Sequence, residues 1–144
     1  MFSKSCEYAL RSVLFITQQS EMGKKVNLTA ISEEIGSPIA FTAKILQQLS
    51  KNDIIQSTKG PKGGFYIEQS KVEEIALSTV VQIFDGNKLY VGCGLGLSNC
   101  DAANPCPLHF KFVEIRSQLK NMLENNTIQN LVEDMHSDLL WLKR

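Results

Sequence analysis

The sequence has no long hydrophobic run. Its apolar stretches are short, and the one nearest the N-terminus is interrupted by Lys4, Glu7 and Arg11. A membrane-spanning helix needs about 20 consecutive apolar residues, and a signal peptide needs an unbroken apolar segment behind a basic start. We therefore predict no signal peptide and no membrane partner, and we expect a cytoplasmic protein.

The sequence also has no net charge, since 15 basic side chains balance 15 acidic ones. A neutral protein is not typical of nucleic-acid binding. The charges are segregated along the chain, however, because four lysines but only one acidic residue, Asp53, lie between Ser37 and Tyr66. A basic region of this kind is compatible with a DNA interface on an otherwise neutral protein.

Internal repeats and low-complexity segments are lacking as well. The chain has 144 residues, which is the length of one domain, and 43% of them are hydrophobic, which is enough for a packed core. The sequence therefore predicts a folded domain and excludes a disordered chain.

Residues 28 to 51 have the pattern of a helix-turn-helix. Thr29 is expected to cap the first helix, Gly36 to end it in a left-handed conformation, and Ser37 and Pro38 to start the second. The inward stripe of the second helix is predicted to contain Thr42, Ile45, Leu46 and Leu49, and its outward face Ala40, Lys44, Gln47, Gln48 and Lys51.

The outward face of this second helix suits a DNA major groove. Amide side chains can bind base edges and lysines can neutralise phosphates. We expect changes at Thr42, Lys44 or Gln47 to alter DNA sequence preference. Taken alone, such a face is more typical of an ordinary solvated surface than of a DNA interface.

A β-hairpin is predicted directly after the helix-turn-helix. Two segments rich in β-forming residues, 54–58 and 65–67, flank the glycine-rich tip 59–64. A helix-turn-helix followed by a hairpin is a winged helix, and Lys59 and Lys62 at the tip are expected to contact DNA phosphates. The glycines do not form a nucleotide-binding loop, because the required G-x-x-x-x-G-K-[ST] pattern is missing.

Further amphipathic helices are predicted on both sides of the winged helix. One covers residues 3 to about 19, with Cys6 on its buried face, and a long one runs from Pro107 to about Leu123. Asn125 and Asn126 are expected to break the long helix, and Thr127 to cap a final one. The apolar stripe of the long helix is Phe112, Ile115, Leu119, Met122 and Leu123, and that of the final helix is Ile128, Leu131, Val132, Met135, Leu139 and Leu142.

The C-terminal helices extend beyond the roughly 70 residues that a winged-helix core needs, and an amphipathic helix must bury its apolar face. A second copy of the chain is the simplest partner, and two-fold symmetry would place two reading helices about 34 Å apart on DNA. The alternative is that these helices complete the core of their own subunit, and both can hold together.

Three of the four cysteines lie in one loop, with the spacing C-x6-C-x5-C-x2-H over Cys93, Cys100, Cys106 and His109. Thiolate and imidazole are ligands of soft or borderline metals. Clustered cysteines in a reducing compartment are more typical of metal binding or redox sensing than of disulfides. The spacing matches neither a zinc finger nor a ferredoxin. For His109, the alternative is a helix-start histidine that faces solvent.

Four segments of the chain resemble the Rrf2 family of bacterial winged-helix regulators. They are the YALR sequence at 8–11, LTAIS at 28–32, KGPKGGF at 59–65, and the three-cysteine loop that leads into a long helix. The resemblance covers essentially the whole chain. It implies a homodimeric transcription factor that binds a double-stranded DNA operator and is not an enzyme.

The fold class that we expect is mainly α with a small β-hairpin wing, a winged helix-turn-helix followed by a long C-terminal dimerisation helix. The expected organisation is a DNA-binding domain at 1–88, a cysteine-rich cluster-binding loop at 89–109 and dimerisation helices at 110–144.

The resemblance also implies an iron–sulfur cluster, of the 2Fe-2S or 4Fe-4S type, with Cys93, Cys100 and Cys106 as ligands. Family members that regulate iron–sulfur assembly carry a histidine three positions after the last cysteine, which His109 matches. The nitric-oxide-sensing members instead use an acidic residue of the partner subunit, and Glu7 occupies that place here. We place His109 first because imidazole is the softer ligand.

The implied mechanism is that ligation orders a mobile loop and so changes operator affinity, which makes the state of the cluster a signal of redox, nitric oxide or iron–sulfur status. One alternative is a regulator of the same fold with free thiols or with zinc bound by three cysteines and a histidine. Another is an iron–sulfur electron carrier, which would leave the wing and the reading helix unexplained.

Overall fold

The computed structural model describes residues 1–137 and Leu142. Within them the chain forms eight helices and one two-stranded antiparallel hairpin. In chain order these are α1 (Lys4–Glu21), α2 (Leu28–Ile35), α3 (Ile39–Lys51), β1 (Gln56–Thr58), β2 (Gly64–Tyr66), α4 (Gln69–Val72), α5 (Leu77–Asp85), α6 (Lys88–Val91), α7 (His109–Asn125) and α8 (Ile128–Met135). The predicted class, mainly α with a small β-hairpin, is confirmed.

Helix α1 is the element around which the core assembles. Its N-cap is Ser3, whose hydroxyl accepts a hydrogen bond from the Cys6 N–H at 3.1 Å. Cys6, Ala9 and Val13 are fully buried on one face, as their helical spacing predicts. Helices α2, α3, α5 and α8 all pack against α1.

The helix-turn-helix consists of α2 and α3, and its ends differ from the sequence prediction. The N-cap of α2 is Asn27 and not Thr29, because the Asn27 side chain accepts the Ala30 N–H at 2.9 Å and starts the helix earlier. Gly36 ends it in the predicted left-handed conformation, with φ 66°. Ser37 does not cap α3; its side chain is buried, and Pro38 takes the N-cap position.

The wing is the β1–β2 hairpin, with Gln56 opposite Tyr66 in the antiparallel register. Val26 forms an additional bridge to Phe65 from the segment before α2. This contact requires Gly64, which has φ 141°, and a Cβ there would lie 2.8 Å from the Val26 carbonyl oxygen. Sequence patterns did not predict the bridge, which ties the base of the wing to the helix-turn-helix.

The two C-terminal helices behave differently. Ile128 and Val132 of α8 are fully buried in the common core, so α8 completes the core of this chain. Thr127 caps it in a capping box with Asn130, as predicted in part from the sequence. On α7, by contrast, Ile115 is 58% exposed and Met122 49% exposed although the sequence pattern placed both on its buried stripe.

The final helix ends at Met135 in the structure, and the predicted stripe residue Leu139 lies outside the described residues. Across the described part of the chain, none of the helices is both long enough and apolar enough to cross a membrane.

Candidate nucleic-acid interface and cysteine site

The cysteine loop, residues 92–108, connects α6 to α7 without a helix or strand of its own. Most of its residues are exposed. A turn opens it, in which the Gly96 N–H donates to the Cys93 carbonyl at 3.0 Å and Gly96 has φ 73°. Asp101 holds the middle of the loop, since its carboxylate accepts the Ala103 N–H at 2.8 Å.

His109 is the first residue of α7 and is only 6% exposed. Its Nδ1 lies 3.3 Å from the Cys100 Sγ, and the backbone N–H of His109 donates to the Cys106 carbonyl at 2.9 Å. The imidazole therefore points into the cysteine loop and does not face solvent, which removes the surface alternative for this histidine.

Cys93 and Cys106 form a second pair of donors. The backbone N–H groups of Leu95 and Leu97 hold the pKa of the Cys93 thiol below its usual value, and a hydrogen bond with the Cys106 thiol acts in the same direction. Both thiols are half-buried and reduced. Because the thiolate is the form that ligates metals, this environment favours Cys93 as a ligand.

The four donors thus stand as two pairs, Cys93 with Cys106 and Cys100 with His109. Among residues 1–137 and Leu142, no three His, Cys, Asp or Glu side chains are yet close enough together to hold one metal ion. The chemistry of three thiols and a buried imidazole fits a soft or borderline metal. Ligation by all four would require the loop to bring the two pairs together.

Two further residues, which the sequence analysis missed, hold the loop on α7. The Arg116 guanidinium donates to the Gly92 carbonyl and to the Cys100 Sγ, the latter at 3.4 Å. The Phe112 ring lies against Gly94 so closely that a Cβ on this glycine would overlap it. Their spacing from His109, three and seven residues, places them on the same side of α7 as the histidine, but it does not show that a loop lies on that side.

Glu7, the alternative fourth ligand, lies in the first turn of α1 with its side chain 40% exposed and pairs with Lys4 at 2.8 Å. Its proposed role belongs to a partner subunit, so ligation by Glu7 of the partner subunit stays a prediction.

Four of the five predicted DNA-contacting residues are exposed, on two surfaces, and the fifth is buried. Lys44 and Gln47 are exposed on α3, and Lys59 and Lys62 are exposed at the wing tip. Thr42 is fully buried, and its hydroxyl donates to the Pro38 carbonyl at 3.1 Å. The prediction that Thr42 contacts DNA is therefore wrong, because its position on the inward stripe leaves it no surface for a base.

Lys25 is a further cation beside the wing, and the sequence did not indicate it. Its Nζ donates to the Thr58 Oγ1 at 3.1 Å and lies 4.9 Å from the centre of the Tyr66 ring. The contact braces both strands of the hairpin and adds positive charge at the base of the wing.

The chain is similar to known transcriptional regulators over nearly its whole length. The profile of the Rrf2 family, described as an iron-dependent transcriptional regulator, matches residues 2–134. A protein of Aquifex aeolicus named as an HTH-type transcriptional regulator is 31% identical over 140 residues, which is 94% of this chain and 95% of that protein. The regulator IscR of Pectobacterium carotovorum is 28% identical over 127 residues, covering 88% of this chain and 76% of that protein.

Solved structures agree with this in fold. CymR of B. subtilis, titled a global cysteine regulator, superposes with a TM-score of 0.74 at 16% identity and covers 92% of this chain and 96% of its own. IscR of T. potens superposes with a TM-score of 0.73 at 15% identity, covering 99% of this chain and 93% of its own. Both share the winged-helix architecture.

The family and these relatives are transcriptional regulators and not enzymes. The chain belongs to the Rrf2 family and is a DNA-binding transcriptional regulator.

Proposed function

We propose that the protein acts as a homodimer that binds a DNA operator, and that an iron–sulfur cluster of the 2Fe-2S or 4Fe-4S type controls this binding. Cys93, Cys100, Cys106 and His109 are its ligands in this proposal. The observation that carries it is the buried His109 imidazole at 3.3 Å from the Cys100 sulfur, at the end of the loop that also contains the Cys93 and Cys106 pair. The iron dependence in the family description is consistent with it.

The loop supplies the control in this proposal. It has many glycine, asparagine and serine residues and few buried side chains, so ordering it costs conformational entropy. Drawing the two donor pairs together restrains the loop and the start of α7 at once. A bound iron–sulfur cluster supplies a centre that oxidation, nitric oxide or iron loss can alter.

The start of α7 is coupled to the DNA-binding elements through the core. Helix α7 packs against α5, and α5 packs against both α1 and α3. A restraint on the first turn of α7 can therefore bias how the reading helix α3 is held. A coupling of a few kcal/mol changes operator affinity by about a hundredfold.

The DNA contacts are assigned to two surfaces. Lys44 and Gln47 on α3 enter the major groove, and Lys59 and Lys62 on the wing bind phosphates. The chain is organised in this proposal into a DNA-binding domain at 1–88, a cluster-binding loop at 89–109 and dimerisation helices at 110–144, of which α7 supplies the exposed apolar surface and α8 also fills the core. The proposed location is the cytoplasm, because a transcriptional regulator must reach the bacterial chromosome.

The test of the ligand set is anaerobic reconstitution with iron and sulfide, followed by the visible spectrum and the iron content. We expect a coloured protein with about one cluster per chain. Cys93→Ala, Cys100→Ala and Cys106→Ala should each lose the chromophore and keep the circular dichroism of the folded protein. A chromophore that survives in all three variants would refute the assignment.

The fourth ligand is tested separately with His109→Ala and Glu7→Ala. Loss of colour or a changed spectrum only in the histidine variant is the expected result. The same change only in the Glu7 variant would transfer the role to Glu7 of the partner subunit.

A cluster-free thiol regulator is the second candidate, and the contact between the Cys93 and Cys106 thiols favours it. It predicts a colourless protein after anaerobic reconstitution, whose DNA affinity responds to oxidation of this pair. A zinc-bound form would also be colourless but would contain zinc.

A further inference from the structure

The cysteine loop packs against one face of α7. His109, Phe112 and Arg116 are spaced at i, i+3 and i+7 and therefore project from the same side of the helix. All three contact the loop. His109 lies against Cys100, Phe112 against Gly94, and Arg116 against both Gly92 and Cys100.

Arg116 makes the contact that spans the loop. Its Nη1 donates to the carbonyl of Gly92, the residue just before Cys93, and its Nη2 donates to the Cys100 Sγ at 3.4 Å. One guanidinium thus joins the beginning of the loop to a sulfur in its middle. A guanidinium holds two divergent N–H donors in a fixed plane, whereas the three N–H donors of a lysine ammonium all lie on one nitrogen at the end of a flexible chain.

The surroundings of Arg116 distinguish it from the other cations of α7. It is half-buried, while Lys111 and Lys120 are exposed, and Lys120 pairs loosely with Glu124 at 3.8 Å. A positive charge beside a thiolate ligand also stabilises negative charge on the sulfur. Arg116 therefore acts on the charge of the site as well as on the path of the loop.

We propose that Arg116 is a positioning residue of the cysteine site, which holds the loop on α7 and sets the electrostatic environment of the Cys100 sulfur. This inference rests on the proposed function, in which Cys100 ligates an iron–sulfur cluster. It assigns a role to a residue that is not itself a ligand.

The experiment compares Arg116→Gln and Arg116→Lys with Lys111→Gln, which removes the same charge from an exposed position of the same helix. The first readout is hydrogen exchange of the 93–106 backbone in the metal-free, reduced protein. Arg116→Gln should accelerate it about tenfold, as expected on losing a hydrogen bond to a charged group. Arg116→Lys should accelerate it less, and Lys111→Gln should leave it unchanged.

The second readout is the reduction potential of the anaerobically reconstituted protein. Loss of the Arg116 charge should shift it to more negative values by about 59 mV, which is tenfold in a one-electron equilibrium. Arg116→Lys keeps the charge and should restore most of the potential, although its loop exchanges faster. Lys111→Gln should match the unsubstituted protein.

The two proposals fail in different ways. If Arg116→Gln and Lys111→Gln show the same loop exchange, Arg116 does not position the loop, whether or not iron is bound. If the loop loosens but the potential is the same in both variants, Arg116 is only a structural brace, and the proposal is overturned. If the unsubstituted protein binds no iron, the proposed function fails together with the role of Arg116 toward a ligand.

Discussion

At the scale of single residues, the four cysteines occupy two environments. Cys6 is fully buried in α1, and burial, with Asp85 nearby, raises the pKa of its thiol to about 12. The three cysteines of the loop are half-buried, and backbone N–H groups lower the pKa of Cys93. The thiolate is the reactive form of cysteine. Cys6 is therefore a core side chain, whereas the three loop cysteines are the candidates for metal binding or redox reactions.

The first prediction concerns this contrast. Iodoacetamide added to the metal-free, reduced protein should alkylate the three loop cysteines and leave Cys6 unmodified until the protein unfolds. Peptide mass spectrometry over a time course measures each site. Alkylation of Cys6 in the folded protein at the rate of Cys93 would contradict the assignment.

The second prediction separates Thr42 from its neighbours on α3. Thr42→Val removes the hydrogen bond to the Pro38 carbonyl and should lower the free energy of unfolding by about 1 kcal/mol without changing DNA sequence preference. Urea unfolding and selection from a random DNA pool measure the two effects.

Lys44→Ala and Gln47→Ala provide the comparison. Both side chains are exposed, so these variants should change sequence preference and leave stability within about 0.5 kcal/mol. A Thr42→Val protein of unchanged stability with an altered preference would restore Thr42 to the DNA surface.

At the scale of elements, the lysines of the wing are predicted to bind DNA, and one glycine determines how the wing packs on the rest of the fold. Lys59→Ala and Lys62→Ala should each weaken binding to all DNA sequences alike. Each should also reduce the slope of log binding constant against log salt concentration by about one. Lys120→Ala on α7 is the control and should change neither. Salt slopes that stay constant in both wing variants would exclude the phosphate contact.

Gly64 is the residue on which the base of the wing depends. Gly64→Ala places a Cβ 2.8 Å from the Val26 carbonyl oxygen at a φ of 141°, and we expect a loss of about 1–3 kcal/mol in the free energy of unfolding. Gly60 also has a positive φ, 102°, but nothing within 4 Å of its Cβ position. Gly60→Ala should therefore cost less, and an equal loss in both variants would exclude the contact with Val26.

These elements show what periodicity predicts and what it leaves out. The spacing of apolar residues predicted α1 and the helix-turn-helix, because each buries a regular face. It also predicted α7 as a helix, but most of its apolar stripe is not buried. The wing was predicted from its β-forming segments and glycine-rich tip. The sequence pattern placed Thr42 both on the inward stripe and on the reading surface, and burial decided between them. It did not predict the Val26 bridge, which depends on a contact between distant parts of the chain.

The candidate ligands of the site could also be predicted from the sequence, but the residue that positions them could not. Cysteine and histidine are rare and chemically specific, so Cys93, Cys100, Cys106 and His109 could be identified from their types and spacing. Arg116 could not be, because an arginine on an amphipathic helix has the same pattern whether it faces water or a loop. Its contacts depend on the path of a segment with no periodicity.

At the scale of the whole molecule, α7 carries apolar surface that the described part of the chain does not cover. Phe110 is 69% exposed, Ile115 58% and Met122 49%, while α8 fills the core of its own subunit. We propose that a second copy covers α7. Ile115→Glu with Met122→Glu should then convert the dimer to a folded monomer with much weaker operator binding.

Sedimentation velocity and circular dichroism test this prediction. Gln118→Glu, which adds one negative charge at an exposed polar position of α7 where the double variant adds two, is the control and should remain dimeric. A double variant that sediments like the unsubstituted protein would remove α7 from the interface.

The central claim is that binding of an iron–sulfur cluster by the cysteine loop controls the affinity for DNA. One affinity measurement tests it most directly. The dissociation constant for DNA selected from a random pool is determined anaerobically for one reconstituted preparation, before and after its iron is removed. We expect about one cluster per chain and a change of tenfold or more in this constant. A protein that takes up no iron, or that binds the same DNA equally well in both states, would contradict the account.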